Sequence, residues 1–116
     1  MISFRLSLHR HFVADHFHDL PGFQEARHGH NWELEATVLL EHPDQEVILA
    51  RALDTWIAGV DYTLLNELPA LAQRNPTAEA LASWAFTFLE ECHLMPLQVK
   101  VREKANYWAA CRRAAA

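Results

Sequence analysis

A two-residue alternation running through most of the first forty positions constrains this chain more than any other feature. From Ile2 to His16 the even positions are Ile2, Phe4, Leu6, Leu8, Phe12, Ala14 and His16, interrupted mainly by Arg10. The odd positions begin Ser3, Arg5, Ser7, His9 and His11. Successive side chains of a strand point to opposite faces, so the pattern is that of a half-buried strand. Alternation resumes at His28, with His30, Trp32, Leu34, Ala36, Val38 and Leu40 on one face and Asn31, Glu33, Glu35 and Thr37 on the other. Between the two lies FHDLPGFQEAR, residues 17–27, which carries Pro21-Gly22 and no period and reads as a loop. The second strand is expected antiparallel to the first and ends at His42-Pro43-Asp44.

The period then changes. Leu49, Leu53, Trp56 and Ile57 share one helical face between Val47 and Gly59, with Gly59 a natural stop. Asn75-Pro76 predicts a second helix start, a capping side chain followed by Pro at the first helical position. Leu81, Trp84, Ala85, Phe88 and Leu89 form its buried stripe, and it is expected to run to about Cys92. Pro96 separates it from a third strand, in which Leu97, Val99 and Val101 alternate with Gln98, Lys100 and Arg102. Residues 105–113 read as a weaker fourth strand. The order is ββααββ, an α+β domain with two helices on one face of an antiparallel sheet.

At 116 residues the chain is one domain, residues 1–116, with no internal repeat or linker. A net charge of −5 with scattered basic residues argues against nucleic acid as a partner. No apolar run reaches the ~18 residues that cross a bilayer, so no membrane partner is expected. The N-terminus lacks the apolar stretch of a secretory signal, and the chain reads as cytoplasmic. Two cysteines, Cys92 and Cys111, are too few for a disulfide framework and fit a reducing compartment.

Eight histidines are the compositional oddity, and they include three His-x-His pairs: His9/His11, His16/His18 and His28/His30. His9 and His11 lie on the polar face of the first strand, where surface exposure is expected. His16, His28 and His30 fall on the apolar face of two strands joined by one connection. Residues two apart on a strand point the same way, so His28 and His30 present two imidazoles to one point, with Gly29 allowing close approach. His16 supplies a third. Three neutral imidazoles leave Zn2+ an open fourth position, the arrangement of a catalytic site. The alternative is a set of core histidines satisfied by hydrogen bonds, which three converging on one apolar face disfavours.

Glu103 continues the apolar side of the third strand, where a carboxylate costs several kcal/mol unless paired. It is either a strand end reaching solvent or an anchor for a ligand with adjacent N–H donors, such as a guanidine-like ring edge. Asp61, between the helices, and Thr77 and Glu79, in the first turn of the second helix, are further candidates, although Glu79 also suits a helix N-terminus as a surface residue.

Taken together, HFVADH followed by HGHNWELEATV resembles the zinc motif of the 6-pyruvoyl-tetrahydropterin synthase family, which includes the 6-carboxy-tetrahydropterin synthases of queuosine biosynthesis. VDYTLLN, NPTAEALASW and VKVRE resemble further family segments, in family order and across nearly the whole chain. The resemblance implies the tunnelling fold, in which three ββααββ subunits close a barrel and two trimers commonly stack into a hexamer. It implies a zinc-dependent lyase acting on 7,8-dihydroneopterin triphosphate, with Glu103 holding the pterin ring and Thr77 and Glu79 lining a pocket formed between subunits.

The chain also departs from the family pattern. The usual catalytic Cys before His-Gly-His is absent, and Glu25 instead gives Glu-x-x-His-Gly-His. That pattern resembles a subgroup yielding 6-hydroxymethyl-7,8-dihydropterin for folate synthesis, with Glu25 as the base. The family's Asp-His pair is here Asp61-Tyr62, and a phenol is a poorer proton carrier than imidazole at neutral pH. The segment after the second strand is shortened to EVILARAL. Three functions stay open: a pterin lyase of the pyruvoyl or carboxy type, a Glu25-dependent hydroxymethyl-dihydropterin producer, and a non-catalytic protein that binds zinc and a pterin or purine.

Overall fold

The hairpin predicted by the alternation extends well past His16. A computed structural model describes residues 2–114. In it β1 (Phe4–Leu20) and β2 (Phe23–Leu40) pair antiparallel from Phe4↔Leu40 to Leu20↔Phe23. The expected loop over residues 17–27 is therefore corrected to two continuing strands and a tight turn. Pro21 followed by Gly22 at φ 79° is the order a type II turn requires, so only these two residues leave the ladder. Alternation fades here because the hairpin tip is largely solvated, and burial no longer sorts side chains by face. A register shift follows His16↔His28: the next pair is His18↔Glu25, two steps along β1 against three along β2. This bulge puts Glu25 opposite His18.

After a 3-10 turn at Pro43–Gln45 comes α1 (Glu46–Val60), which buries Leu49, Ala52, Leu53, Trp56 and Val60. It passes Gly59 and is capped at Asp61. A two-residue strand, β3 (Thr63–Leu64), was not foreseen; it pairs parallel to β1 through Ala14↔Thr63. The Asp61 carboxylate accepts the Val13 N–H at 2.8 Å and the Tyr62 N–H donates to the Val13 carbonyl at 2.6 Å, which ties this segment to the edge of β1.

The second helix, α2 (Ala78–Glu91), corrects the expected start. Thr77 is the N-cap, in an extended conformation with its hydroxyl accepting the Ala80 N–H at 3.1 Å. Asn75 and Pro76 remain outside because their oxygens serve the histidines of β1. At the other end, His93 at φ 64° donates its N–H to Glu90 and Leu94 donates to Leu89, a Schellman ending with histidine where glycine is usual.

The chain closes with β4 (Met95–Lys104) and β5 (Tyr107–Arg112), giving a sheet ordered β3-β1-β2-β4-β5. Pro96 lies inside β4 rather than before it, beside a register shift at Thr37/Val38 where the missing N–H is tolerated. Both helices cover one face. Phe12, Ala14, Trp32, Leu34, Ala36, Val38, Val99 and Val101 meet the helix stripes there, with Phe12 stacked on Trp32 at 5.8 Å. Among the described residues no helix is long and apolar enough to cross a membrane.

Candidate functional site

The buried face of the hairpin ends in histidine rather than leucine. His16, fully buried on β1, sits opposite His28 on β2, and His30 follows two residues on. Their nitrogen donors lie within 4.8 Å of one another, bringing together the three residues predicted as metal ligands.

The hydrogen bonds set the tautomers. His16 Nδ1 donates to the Pro76 carbonyl at 2.8 Å, and His28 Nδ1 donates to the Ala26 carbonyl at 2.8 Å. A carbonyl only accepts, so each Nδ1 carries the proton and each Nε2 carries a lone pair. These two Nε2 atoms face each other at 3.0 Å. Glu103 Oε1 lies 3.1 Å from His16 Nε2 and 3.8 Å from His30 Nε2, and Glu25 Oε1 lies 2.9 Å from His28 Nε2. Acceptors thus converge from four side chains on one spot, and such a cluster requires a positive charge among them.

That charge is not readily supplied by protonating the rings. Burial pushes the His16 imidazole below its ordinary value, opposed by the Pro76 carbonyl and Glu103. His30 is lowered by burial in the same way, against the pull of Glu103. The neutral, lone-pair-bearing form is the one that ligates a metal, and the Nδ1 bonds to carbonyls are the outer contacts that orient such ligands. The donor set therefore fits a zinc ion.

A cavity of about 590 Å³ opens beside the cluster, lined by His18, Glu25, His28, His30, Thr77 and Glu103 among others. Glu103 is mostly buried and turns its carboxylate to the histidines instead of to solvent. Thr77 lines the cavity as well as capping α2. Glu79 is exposed and accepts the Tyr107 hydroxyl at 2.6 Å. Burial raises its carboxyl, but hydrogen bonds from Tyr107, its own amide and Thr77 hold it below the usual range, while Tyr107 is pushed up to about 12 by its bond to Glu79.

Asp61 and Tyr62 are not brought to this cavity within one chain. They lie along the β3 edge of β1, the side away from β2, and Tyr62 is 83% exposed. His18, by contrast, escaped the sequence reading. It is buried, its Nδ1 donates to Asn75 Oδ1 at 2.6 Å, and its Nε2 is 4.0 Å from Glu25 Oε1. Extending the alternation one step past His16 finds it on the same face; assigning residues 17–27 to a loop hid it. Gly29 has a different role from the one expected. A Cβ there would meet Asp15 Oδ1 at 2.5 Å, so glycine makes room for the carboxylate that pairs with Arg27 at 2.9 Å on the other face.

Residues 5–114 match the family model described as 6-pyruvoyl tetrahydropterin synthase. A provisionally named 6-carboxy-5,6,7,8-tetrahydropterin synthase of Archaeoglobus fulgidus is 30% identical over 103 residues, spanning 83% of this chain and 86% of that protein. The 6-pyruvoyl tetrahydropterin synthase of Caenorhabditis elegans shares the fold with a TM-score of 0.82 at 16% identity, over 98% of both chains. The Plasmodium vivax 6-pyruvoyltetrahydropterin synthase, in a form with cysteine replacing a catalytic glutamate, does so at 0.74 and 14% identity, over 99% of this chain and 100% of that one. The chain is a tunnelling-fold protein and belongs to the 6-pyruvoyl tetrahydropterin synthase family.

Proposed function

We propose that this protein is a zinc-dependent pterin lyase acting on 7,8-dihydroneopterin triphosphate, with His16, His28 and His30 as the metal ligands. The observation that carries the reading is the pair of Nε2 lone pairs facing each other at 3.0 Å beside an open cavity, each ring fixed by a carbonyl. Bound zinc supplies Lewis-acid stabilisation of negative charge developing on an oxygen of the substrate side chain.

The chain's own residues supply the rest. Glu103 accepts adjacent N–H groups of the pterin edge once the histidine lone pairs it now faces are committed to the ion. Thr77 lines that pocket, while Glu79 stands outside its lining and reaches it only through the Tyr107 hydroxyl that it accepts. Glu25 is the only carboxylate besides Glu103 on the cavity wall among the described residues, which supports it as the base that takes a proton from the side chain. This favours a second reading, in which Glu25 stands in for the absent cysteine and the product is 6-hydroxymethyl-7,8-dihydropterin. A glutamate is also the residue named as catalytic in the Plasmodium vivax relative.

Asp61 and Tyr62 join the chemistry only from a neighbouring subunit. The short β3 and the exposed β5 leave both sheet edges available for pairing between copies, as a trimeric or hexameric barrel needs.

Incubation of zinc-loaded protein with 7,8-dihydroneopterin triphosphate, followed by product analysis, tests the reading. A 6-pyruvoyl or 6-carboxy product supports the first form, and a 6-hydroxymethyl product lost in Glu25→Ala supports the second. No turnover with intact zinc would sink both and leave a binding protein.

A further inference from the structure

The strands that hold the buried histidines carry a second imidazole pair on their opposite face. His9 and His11 project from the side of the sheet that the helices do not cover, both exposed, with ring centroids 4.6 Å apart. Glu33 stands directly across from His11 in the β1–β2 register, and Glu35 stands across from His9. The donor atoms of His9, His11 and Glu33 all lie within 4.8 Å of one another, with His11 Nδ1 3.7 Å from Glu33 Oε1.

The carboxylate is held in place by its neighbour. Arg102, opposite Glu33 on β4, donates from Nη1 to Glu33 Oε2 at 2.9 Å. That contact occupies one oxygen and leaves Oε1, the oxygen nearer His11, free for another bond. Donors around a tetrahedral ion with bonds of about 2.0–2.2 Å sit roughly 3.4 Å apart. Only small side-chain rotations are needed to reach that spacing, and exposed imidazoles make them without disturbing the core.

We propose that His9, His11 and Glu33 form a second divalent transition-metal site, separate from the buried histidine cluster. Two imidazoles and one carboxylate select zinc, nickel or copper over magnesium or calcium, which require oxygen-rich sets. Three protein donors leave positions for water or an incoming ligand. The Arg102 charge weakens the site, so its ion binds more loosely than one at His16, His28 and His30. The exposure expected of His9 and His11 is also what makes this pair accessible to an ion in solution.

The test is a metal titration of chelator-stripped full-length protein with Zn2+ and with Ni2+, by calorimetry and equilibrium dialysis. Wild type binds two ions per chain in two affinity classes. His9→Ala/His11→Ala loses the weaker ion and keeps the tighter one, with circular dichroism and melting unchanged because both residues are exposed. Glu33→Gln weakens only the looser site. His16→Ala/His28→Ala removes the tighter ion and leaves the looser one, so failure of the buried centre is distinguishable from failure of this one. One ion per chain at saturating metal in wild type, or an unchanged two in the His9→Ala/His11→Ala protein, overturns the proposal.

Discussion

His16 Nε2 and His28 Nε2 face each other at 3.0 Å while the Nδ1 of each ring is spent on a backbone carbonyl. Two lone pairs repel at that distance, and burial discourages the proton that would otherwise separate them at His16. Zinc bound there, as proposed, would relieve this conflict and couple metal binding to stability. His28→Ala is expected to lose the tightly bound zinc. Zinc at ~100 times its dissociation constant stabilises wild type by about 2.7 kcal/mol, a melting shift on the order of 10 °C for a domain of this size. Differential scanning calorimetry with and without a chelator reads the shift, and at a zinc concentration that fills only the tighter site it disappears in His28→Ala.

Asn75 is expected to matter through His18 alone. Its Oδ1 accepts the only hydrogen bond found for the buried His18 ring among the described residues, at 2.6 Å. Asn75→Ala leaves that donor unpaired and costs about 1–3 kcal/mol, measured by urea unfolding. If α2 began at Asn75, the same change would also remove its cap; with Thr77 as the cap, helicity by circular dichroism stays unchanged.

His93 occupies the left-handed position that ends α2, at φ 64°. An L-residue there costs on the order of 1 kcal/mol relative to glycine, and the His93 backbone bonds do not depend on its side chain. His93→Gly is expected to raise the unfolding midpoint by a corresponding amount, with the slope of the denaturant transition unchanged. A loss of stability would show that the imidazole contributes more than the backbone strain removes.

The Tyr107–Glu79 bond has a defined pH window. The phenol is raised in the folded state to about 12 from its ordinary 10, so its stabilising effect is present below about 10 and is lost as pH rises through about 12. The Glu79 carboxyl is held low, so the contribution is present above the ordinary carboxylate value and is lost as pH falls through the lowered one. In Tyr62→Phe protein, Tyr107 is the one remaining tyrosine, and its absorbance titration at high pH is expected near 12. Glu79→Gln should move it back toward 10.

Asp61 in a single chain is a structural residue. Its carboxylate holds the Val13 N–H at 2.8 Å and so docks β3 against β1. Asp61→Ala is expected to speed hydrogen exchange at the Val13 amide while zinc content stays constant. Slow exchange at Val13 in the variant would show that β3 is held by other contacts.

The order of the long strands and helices, though not the short β3, and the convergence of His16, His28 and His30 were legible because both follow from periodicity. Alternation in β1 and β2 put His16, His28 and His30 on the buried face without knowledge of any partner, and the helix stripes around Leu53 and Leu81 gave the other layer. The hairpin tip was not legible, since solvated residues such as Asp19, Phe23 and Gln24 carry no face signal. His18 was lost with it. Glu25 was visible as a motif residue, but only the bulge after His16↔His28 shows why it comes to face His18. The helix start was ambiguous for a similar reason. Asn75, Pro76 and Thr77 all suit a helix N-terminus by residue type, and it took the distant demands of His16 and His18 to assign two of them elsewhere. Side-chain periodicity by itself determined which face of each long strand and helix meets the core, though not how far burial runs along it: Phe4 shares the apolar face of β1 yet is exposed. Tertiary structure decided which buried polar groups answer one another, because a hydrogen bond between residues sixty positions apart leaves no periodic trace in the chain.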